Sequence, residues 1–158
     1  MSQRRYITQR GFDALRAELH QLVAHERPRT VVEASTAAAH GDRSENYEYK
    51  FAKKKLREID GKLHRLQKLL ESFEVVDPAT RPKTARAFFG ATVTVEDEDG
   101  DARAYQLVGV EEQDAGAGRI SHESPLGRAL LGRRRGEVVV VRRPKGDVEL
   151  TILRVDWK

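Results

Sequence analysis

Leucines at positions 15, 19 and 22 are spaced by four and three, which places them on one face of a helix. Ile7 and Phe12 flank Thr8 at the two positions of a hydrophobic staple, so Thr8 is the expected N-cap of a helix beginning at Gln9. Pro28 removes one backbone donor and predicts a kink near Ala24 to Arg27. Beyond it, VVEASTAAAH stays helix-compatible but is built of small side chains, so this end is expected to be thin. A second pattern is more regular. Ala52, Leu56, Ile59, Leu63, Leu66, Leu70 and Phe73 alternate spacings of four and three, an a/d heptad seam that extends backwards through Tyr49 and Glu45. Only a short link around His40 to Arg43 separates the two patterns, which makes the helices antiparallel neighbours. The expected element is a coiled-coil hairpin about 45 Å long at 1.5 Å per residue. Gly61 is its weak point, at about 1 kcal/mol relative to alanine.

The helix must end before Pro78, and PATRPKTA reads as a linker. After it the period changes to two. Val93 and Val95 alternate with polar residues, and EDEDGD is a turn ahead of a strand from Ala104 to Val108. Val138 to Val141 is a β-branched strand, PKGD is a turn, and VELTILRV closes the chain as a strand. Ser124 and Pro125 form an N-cap and first-turn pair that opens a short helix, PLGRALL, stopped by Gly132. The fold class is therefore α+β. A helical hairpin is expected over residues 1–77, with its tip at about 40–46, followed by an antiparallel-sheet domain with one short helix over residues 78–158.

Composition narrows the function classes. Of 158 residues, 34 % are charged and 39 % hydrophobic, which favours a two-part molecule over one large core. A net charge of +4 is compatible with a polyanionic partner. Cysteine is absent, which excludes disulfides and thiolate metal sites. No apolar run is long enough for a membrane span and the start lacks a secretory core, so the expected location is the cytoplasm, with no membrane partner. No Walker-type or dinucleotide glycine motif, zinc-type cluster or nucleophilic serine–histidine arrangement is present.

The chemistry concentrates in GDRSENYEY, residues 41–49. Asp42 and Glu45 lie three apart. One reading is structural: Asp42 caps the second helix and Glu45 completes a capping box. The other is chemical: two hard carboxylates side by side suit Mg²⁺, which often takes only one or two protein ligands, as half a site completed by a partner. A second metal ion in such a site can activate water for in-line attack on a phosphodiester. Below this tip the second helix is crowded with cations, among them Lys50, Lys53, Lys54, Lys55 and Arg57. They read either as a solvated face or as a strip for single-stranded nucleic acid, held through its phosphates. Tyr49 falls on the seam and Tyr47 off it, so Tyr47 is the candidate to stack on a base.

GDRSENYEY, KKKLREID, EVVDP, FFGATV and ISHESPLGRALLG together resemble, in order and over nearly the whole chain, the bacterial Gre transcript-cleavage factors, closer to the GreB than to the GreA branch. The resemblance implies an N-terminal coiled coil that enters the secondary channel of RNA polymerase, and an FKBP-like C-terminal domain that docks on the channel rim. By position, Asp42 and Glu45 match the tip acids that help hold the second catalytic Mg²⁺ in a backtracked complex. Arg43, Lys50, Lys53, Lys54, Lys55 and Arg57 match the patch that holds the 3′ part of the nascent RNA. Ser124 and Pro125 match the rim-contacting loop. Tyr47 and Gly61 depart from the family, which has a small residue at the first position and a charged or polar one at the second. The implied protein is a monomer and an accessory factor, not an enzyme; it has no cofactor of its own, shares Mg²⁺ with the polymerase and binds other nucleic acid only weakly.

Three other functions fit parts of the chain. A secondary-channel inhibitor without cleavage activity would share the partner. A prolyl isomerase with a coiled-coil arm would need an aromatic-lined pocket from Phe88, Phe89, Tyr105 and Trp157. A DNA-binding coiled coil would need a groove-reading motif, and none is present.

Overall fold

The computed structural model describes residues 5–40, 46–80 and 84–157. The chain forms two compact units, Phe12–Ser72 and residues 1–11 with 73–158. The division expected between residues 77 and 78 thus differs at both ends of the helices. The reason is a pair of strands absent from the hydrophobic pattern. β1 (Arg5–Thr8) and β2 (Phe73–Val76) pair in parallel, with Arg5 opposite Phe73 and Thr8 opposite Val76. Phe73 therefore belongs to a strand, not to the heptad seam.

In the helical unit, α1 (Gln9–Gln21) runs through a five-residue π-helical turn, Leu22–Glu26, into α2 (Arg27–Ala38). Pro28 explains the turn. It has no N–H to give to the carbonyl four residues back, and its ring crowds that carbonyl. Just ahead of it the Arg27 N–H reaches five residues back, to the Leu22 carbonyl. The Thr30 hydroxyl donates to the Glu26 carbonyl at 2.9 Å. α3 (Tyr47–Glu71) returns as 25 residues, about 37 Å at 1.5 Å per residue. Partner numbers run in opposite directions along the two arms: Asn46 with Ala37, Lys55 with Glu33, Asp60 with Arg27, Lys62 with Glu18. The arms are antiparallel. Leu22, Ile59 and Leu66 are buried between them, with Leu15, Leu19 and Leu63 packed alongside. Toward the α2–α3 link the buried residues shrink to Ala34, Ala37 and Ala52, the expected thin end.

The second unit carries a five-stranded sheet in the order β5-β4-β3-β7-β6, formed by β3 (Thr92–Glu96), β4 (Ala102–Val108), β5 (Arg119–Ser121), β6 (Val138–Val141) and β7 (Val148–Asp156). The β3–β4, β3–β7 and β6–β7 pairs are antiparallel, while the edge strand β5 joins β4 in parallel. The inward set Val93, Val95, Leu107, Val139, Val141, Leu150 and Ile152 obeys the period of two, and Leu130 of the short helix α4 (Pro125–Leu130) covers it. Trp157 closes the core. It is 8 % exposed, and its indole N–H donates to the Thr84 carbonyl at 3.1 Å.

Glu112 fixes the start of the chain within this unit. Its Oε2 accepts from the backbone N–H of Thr8 at 3.0 Å and of Gly109 at 2.9 Å. Its Oε1 accepts from the Thr8 hydroxyl. Thr8 Oγ1 in turn accepts from the Gly11 N–H at 3.2 Å, which is its expected capping bond. Gly11 permits the approach, because a Cβ there would stand 2.1 Å from Glu112 Oε1.

Candidate functional site

Asp42, Arg43 and Glu45 lie outside the described residues. What the structure supplies is the frame around them. α2 ends at Ala38 and α3 begins at Tyr47. The N-cap of α3 is Asn46, not Asp42. Asn46 has extended backbone (φ −85°, ψ 100°), its Oδ1 accepts from the Tyr49 N–H at 3.0 Å, and its Nδ2 donates to the Ala37 carbonyl at 2.5 Å. One amide thus caps α3 and satisfies a carbonyl in the last turn of α2. An aspartate could do only the first, because a carboxylate has no N–H to donate. α3 thus starts on Asn46.

Below the tip the expected cations separate into two groups. Lys50, Lys53, Lys54 and Arg57 follow at i, i+3, i+4 and i+7 and form one exposed stripe on α3. Lys55 falls on another side, where it stands 3.8 Å from Glu33 of α2. Tyr49 is half-buried, in keeping with its seam position, and Tyr47 is 85 % exposed. Farther down the shaft, Arg27 bonds Asp60 at 2.8 Å. That hydrogen bond, and then the charge of Asp60, raise the Arg27 guanidinium above its already high ordinary value. Among the described residues, no group of three or more His, Cys, Asp or Glu is placed to hold a metal ion.

Ser124 and Pro125 open α4 as expected, and the geometry assigns the hydroxyl a local task. Ser124 Oγ accepts from the Gly127 N–H at 3.0 Å and donates to the Ser121 carbonyl at 2.6 Å. A Cβ on residue 127 would lie 2.1 Å from that same carbonyl, so glycine is required there. Pro125 is exposed and lines a cavity of about 400 Å³ with Leu126, Val141, Arg119, Arg142 and Arg143. The two arginines follow β6 directly, in a turn whose sequence signal was only PKGD. An apolar floor with arginines at its edge suits a partner segment of mixed apolar and acidic character.

A second cavity, of about 610 Å³, is lined by Tyr6, Phe88, Phe89, His122 and Leu131. Phe89 packs edge-on to His122, with ring centroids 5.2 Å apart. Of the aromatic set named for an isomerase pocket, Phe88 and Phe89 are here, while Trp157 is buried in the sheet core.

Comparison with known proteins supplies the family. Residues 5–75 match the family model described as "Transcription elongation factor, N-terminal", and residues 82–156 the one described as "Transcription elongation factor, GreA/GreB, C-term". GreB of Neisseria meningitidis serogroup B is 45 % identical over 152 residues, covering 96 % of this chain and 93 % of that protein. The chain belongs to the GreA/GreB family of transcription elongation factors. It is GreB-like: GreB of Yersinia pestis is 44 % identical over 158 residues, covering 100 % of this chain and 92 % of that protein. A GreA from Anaeromyxobacter is 45 % identical over 154 residues, covering 97 % and 92 %. This GreB-like elongation factor thus keeps its candidate chemistry in two places, one in each unit: the 39–46 link with the α3 stripe, and the Ser124–Pro125 turn with its arginine-edged cavity.

Proposed function

We propose that this transcription elongation factor inserts its helical hairpin into the secondary channel of RNA polymerase and stimulates the polymerase's own hydrolysis of backtracked nascent RNA. The observation that carries this reading is the pair Asp42 and Glu45 in the link between the two arms of a GreB-like chain. Their donor set, two hard carboxylates, fits Mg²⁺ as part of a site shared with the polymerase. Asn46 supports the assignment, because it serves the helix terminus that would otherwise engage an acid. Bound there, Mg²⁺ supplies Lewis acidity and a lowered pKa for the attacking water. This chain's residues do the rest. Asp42 and Glu45 would hold the ion. Lys50, Lys53, Lys54 and Arg57 hold RNA phosphates along one stripe. Ser124 shapes the α4 turn, so that Pro125, Arg142 and Arg143 meet the channel rim. The factor is not an enzyme alone, since the scissile bond lies in the polymerase active site.

The test is RNA cleavage in halted, backtracked complexes with the unaltered factor, Asp42→Asn and Glu45→Gln, across a range of Mg²⁺. Both variants are expected to bind polymerase normally and lose stimulated cleavage, with partial rescue by higher Mg²⁺. A double variant that still shortens the transcript would sink the proposal. Slowed elongation with no shortened RNA from the unaltered factor would point to a channel inhibitor instead.

A further inference from the structure

Three apolar side chains lie open to solvent in one place on the helical unit. Tyr47 is 85 % exposed, Phe51 70 % and Val32 63 %. They line a groove of about 800 Å³ between α2 and α3, together with Arg29, Glu33 and Glu48. Ala37 and Ala52, both buried, form its floor. The groove exists because alanines stand at the level where the leucines of the lower seam would have filled the space. Rings so exposed gain nothing from the fold, so their use lies in contact with something else.

The surrounding charges indicate what that is. Tyr47, Lys50, Phe51 and Lys54 follow at i, i+3, i+4 and i+7, so two rings and two ammonium groups interleave along one face of α3. Lys50 Nζ stands 6.0 Å from the centre of the Tyr47 ring. Arg29 adds a third cation from α2, while Glu33 is engaged by Lys55 at 3.8 Å. Glu48 is the remaining acid of the lining. Rings interleaved with cations are the pattern of a single-stranded nucleic-acid platform, since every base has a π-face and every nucleotide a phosphate. A second copy would set Arg29, Lys50 and Lys54 against the same three cations, whereas a polyanion with π-faces supplies both the counter-charge and the rings' partners.

We propose that the Tyr47–Phe51 groove stacks unpaired bases of RNA, with Lys50, Lys54 and Arg29 on the adjoining phosphates. The inference rests on the transcript-cleavage reading for the identity of the RNA, and it extends the contact from backbone charge to the bases themselves. Lys50 and Lys54 are then shared between the phosphate stripe and the platform.

The experiment uses the full chain and an eight-nucleotide single-stranded RNA carrying 2-aminopurine, whose emission is quenched when it stacks. The unaltered protein is expected to bind and quench. Tyr47→Ala and Phe51→Ala should each weaken binding about tenfold and reduce the quench. Phe51→Leu, which keeps apolar bulk without a ring, should behave like the alanine variant, whereas Tyr47→Phe and Phe51→Trp should hold. Unchanged affinity in both alanine variants would overturn the proposal, as would Phe51→Leu binding like the unaltered chain. A dimer in sedimentation that Phe51→Ala disperses would also overturn it, by placing a second copy in the groove. The same proteins go into the backtracked-complex cleavage assay. Quenching by the unaltered protein without stimulated cleavage would support the platform and refute the cleavage reading. Normal stimulated cleavage without quenching would overturn the platform alone.

Discussion

Replacing Glu112 tests the structural logic most directly. Its carboxylate accepts from two backbone N–H groups, of Thr8 and Gly109, and from the Thr8 hydroxyl. Thr8 is 1 % exposed, so its N–H has little access to water once the acceptor is gone. An unsatisfied buried donor costs about 1–3 kcal/mol. Glu112→Ala leaves one such donor and one partly hydrated, a loss of about 3 kcal/mol. Glu112→Gln is different. Its carbonyl can replace Oε2, and its amide can donate to Thr8 Oγ1, so both contacts survive with the second reversed and the Thr8 hydroxyl hydrogen left without its acceptor, at a cost of about 1 kcal/mol. Gly11→Ala reaches the same site from the other side. Its Cβ would stand 2.1 Å from Glu112 Oε1, so the carboxylate must leave. The gain of about 1 kcal/mol in helix propensity then offsets only part of the loss. Thermal melting reads all three. At about 2–4 °C per kcal/mol for a chain of this size, Glu112→Ala should melt about 6–12 °C lower and Glu112→Gln about 2–4 °C lower. The Gly11→Ala/Glu112→Ala double variant should lose less than the sum of the two, because both remove one interaction. Equal melting of the alanine and glutamine variants, or a Gly11→Ala protein as stable as the parent, would refute the account.

Gly61 sits in α3 with only Arg65 Nη1, 3.4 Å away, near its missing Cβ, so Gly61→Ala should stabilise by about 1 kcal/mol, read by urea denaturation. Thr94 Oγ1 is buried without a hydrogen-bond partner where β3 shifts register against β7, so Thr94→Val should leave the urea midpoint level or raise it. Asn46→Asp should keep the α3 cap but lose the bond to Ala37, and Asn46→Ala should lose both, with melting temperatures in the order Asn, Asp, Ala. Removing Lys50, Lys53, Lys54 or Arg57 should lower the salt-dependence slope of single-stranded RNA binding by about 0.7 each, while Lys55→Ala, which breaks the contact with Glu33, should change it little.

The elements that repeat were legible in the sequence. The a/d spacing from Ala52 to Leu66 and the alternation at Val93, Val95 and Val139 each express one periodic burial, and both appear in the structure. What escaped was pairing that depends on distant partners. FEVV is too short to announce a strand beside a heptad run, and RYIT is too short beside a staple; each becomes a strand because the other is there. β5 is hidden for the same reason, with three residues against β4. At the candidate site the acids and the basic stripe were readable as types and spacings. The spacing of Asp42 to Glu45 fits a capping box and a metal pair equally, so the sequence leaves both readings open. Asn46 escapes notice as the cap because its donor bond to Ala37 depends on the turn back of the chain and not on local pattern. Arg142 and Arg143 gave no signal because their relation to Pro125 is purely tertiary.

The parallel pairing of β1 with β2 bears on how such a factor can change over time. The chain leaves the sheet unit after Gly11 and re-enters it at Phe73, beside the strand it left. In topological terms the hairpin is a cassette inserted between two adjacent strands. Its two seams are joined by side-by-side backbone, so an arm of another length or tip chemistry can replace it while β1, β2 and the Glu112 contacts stay as they are. Equal insertions of seven residues in each arm would preserve the leucine register. Selection can thus act on the hairpin and on the sheet unit as separable traits carried by one chain.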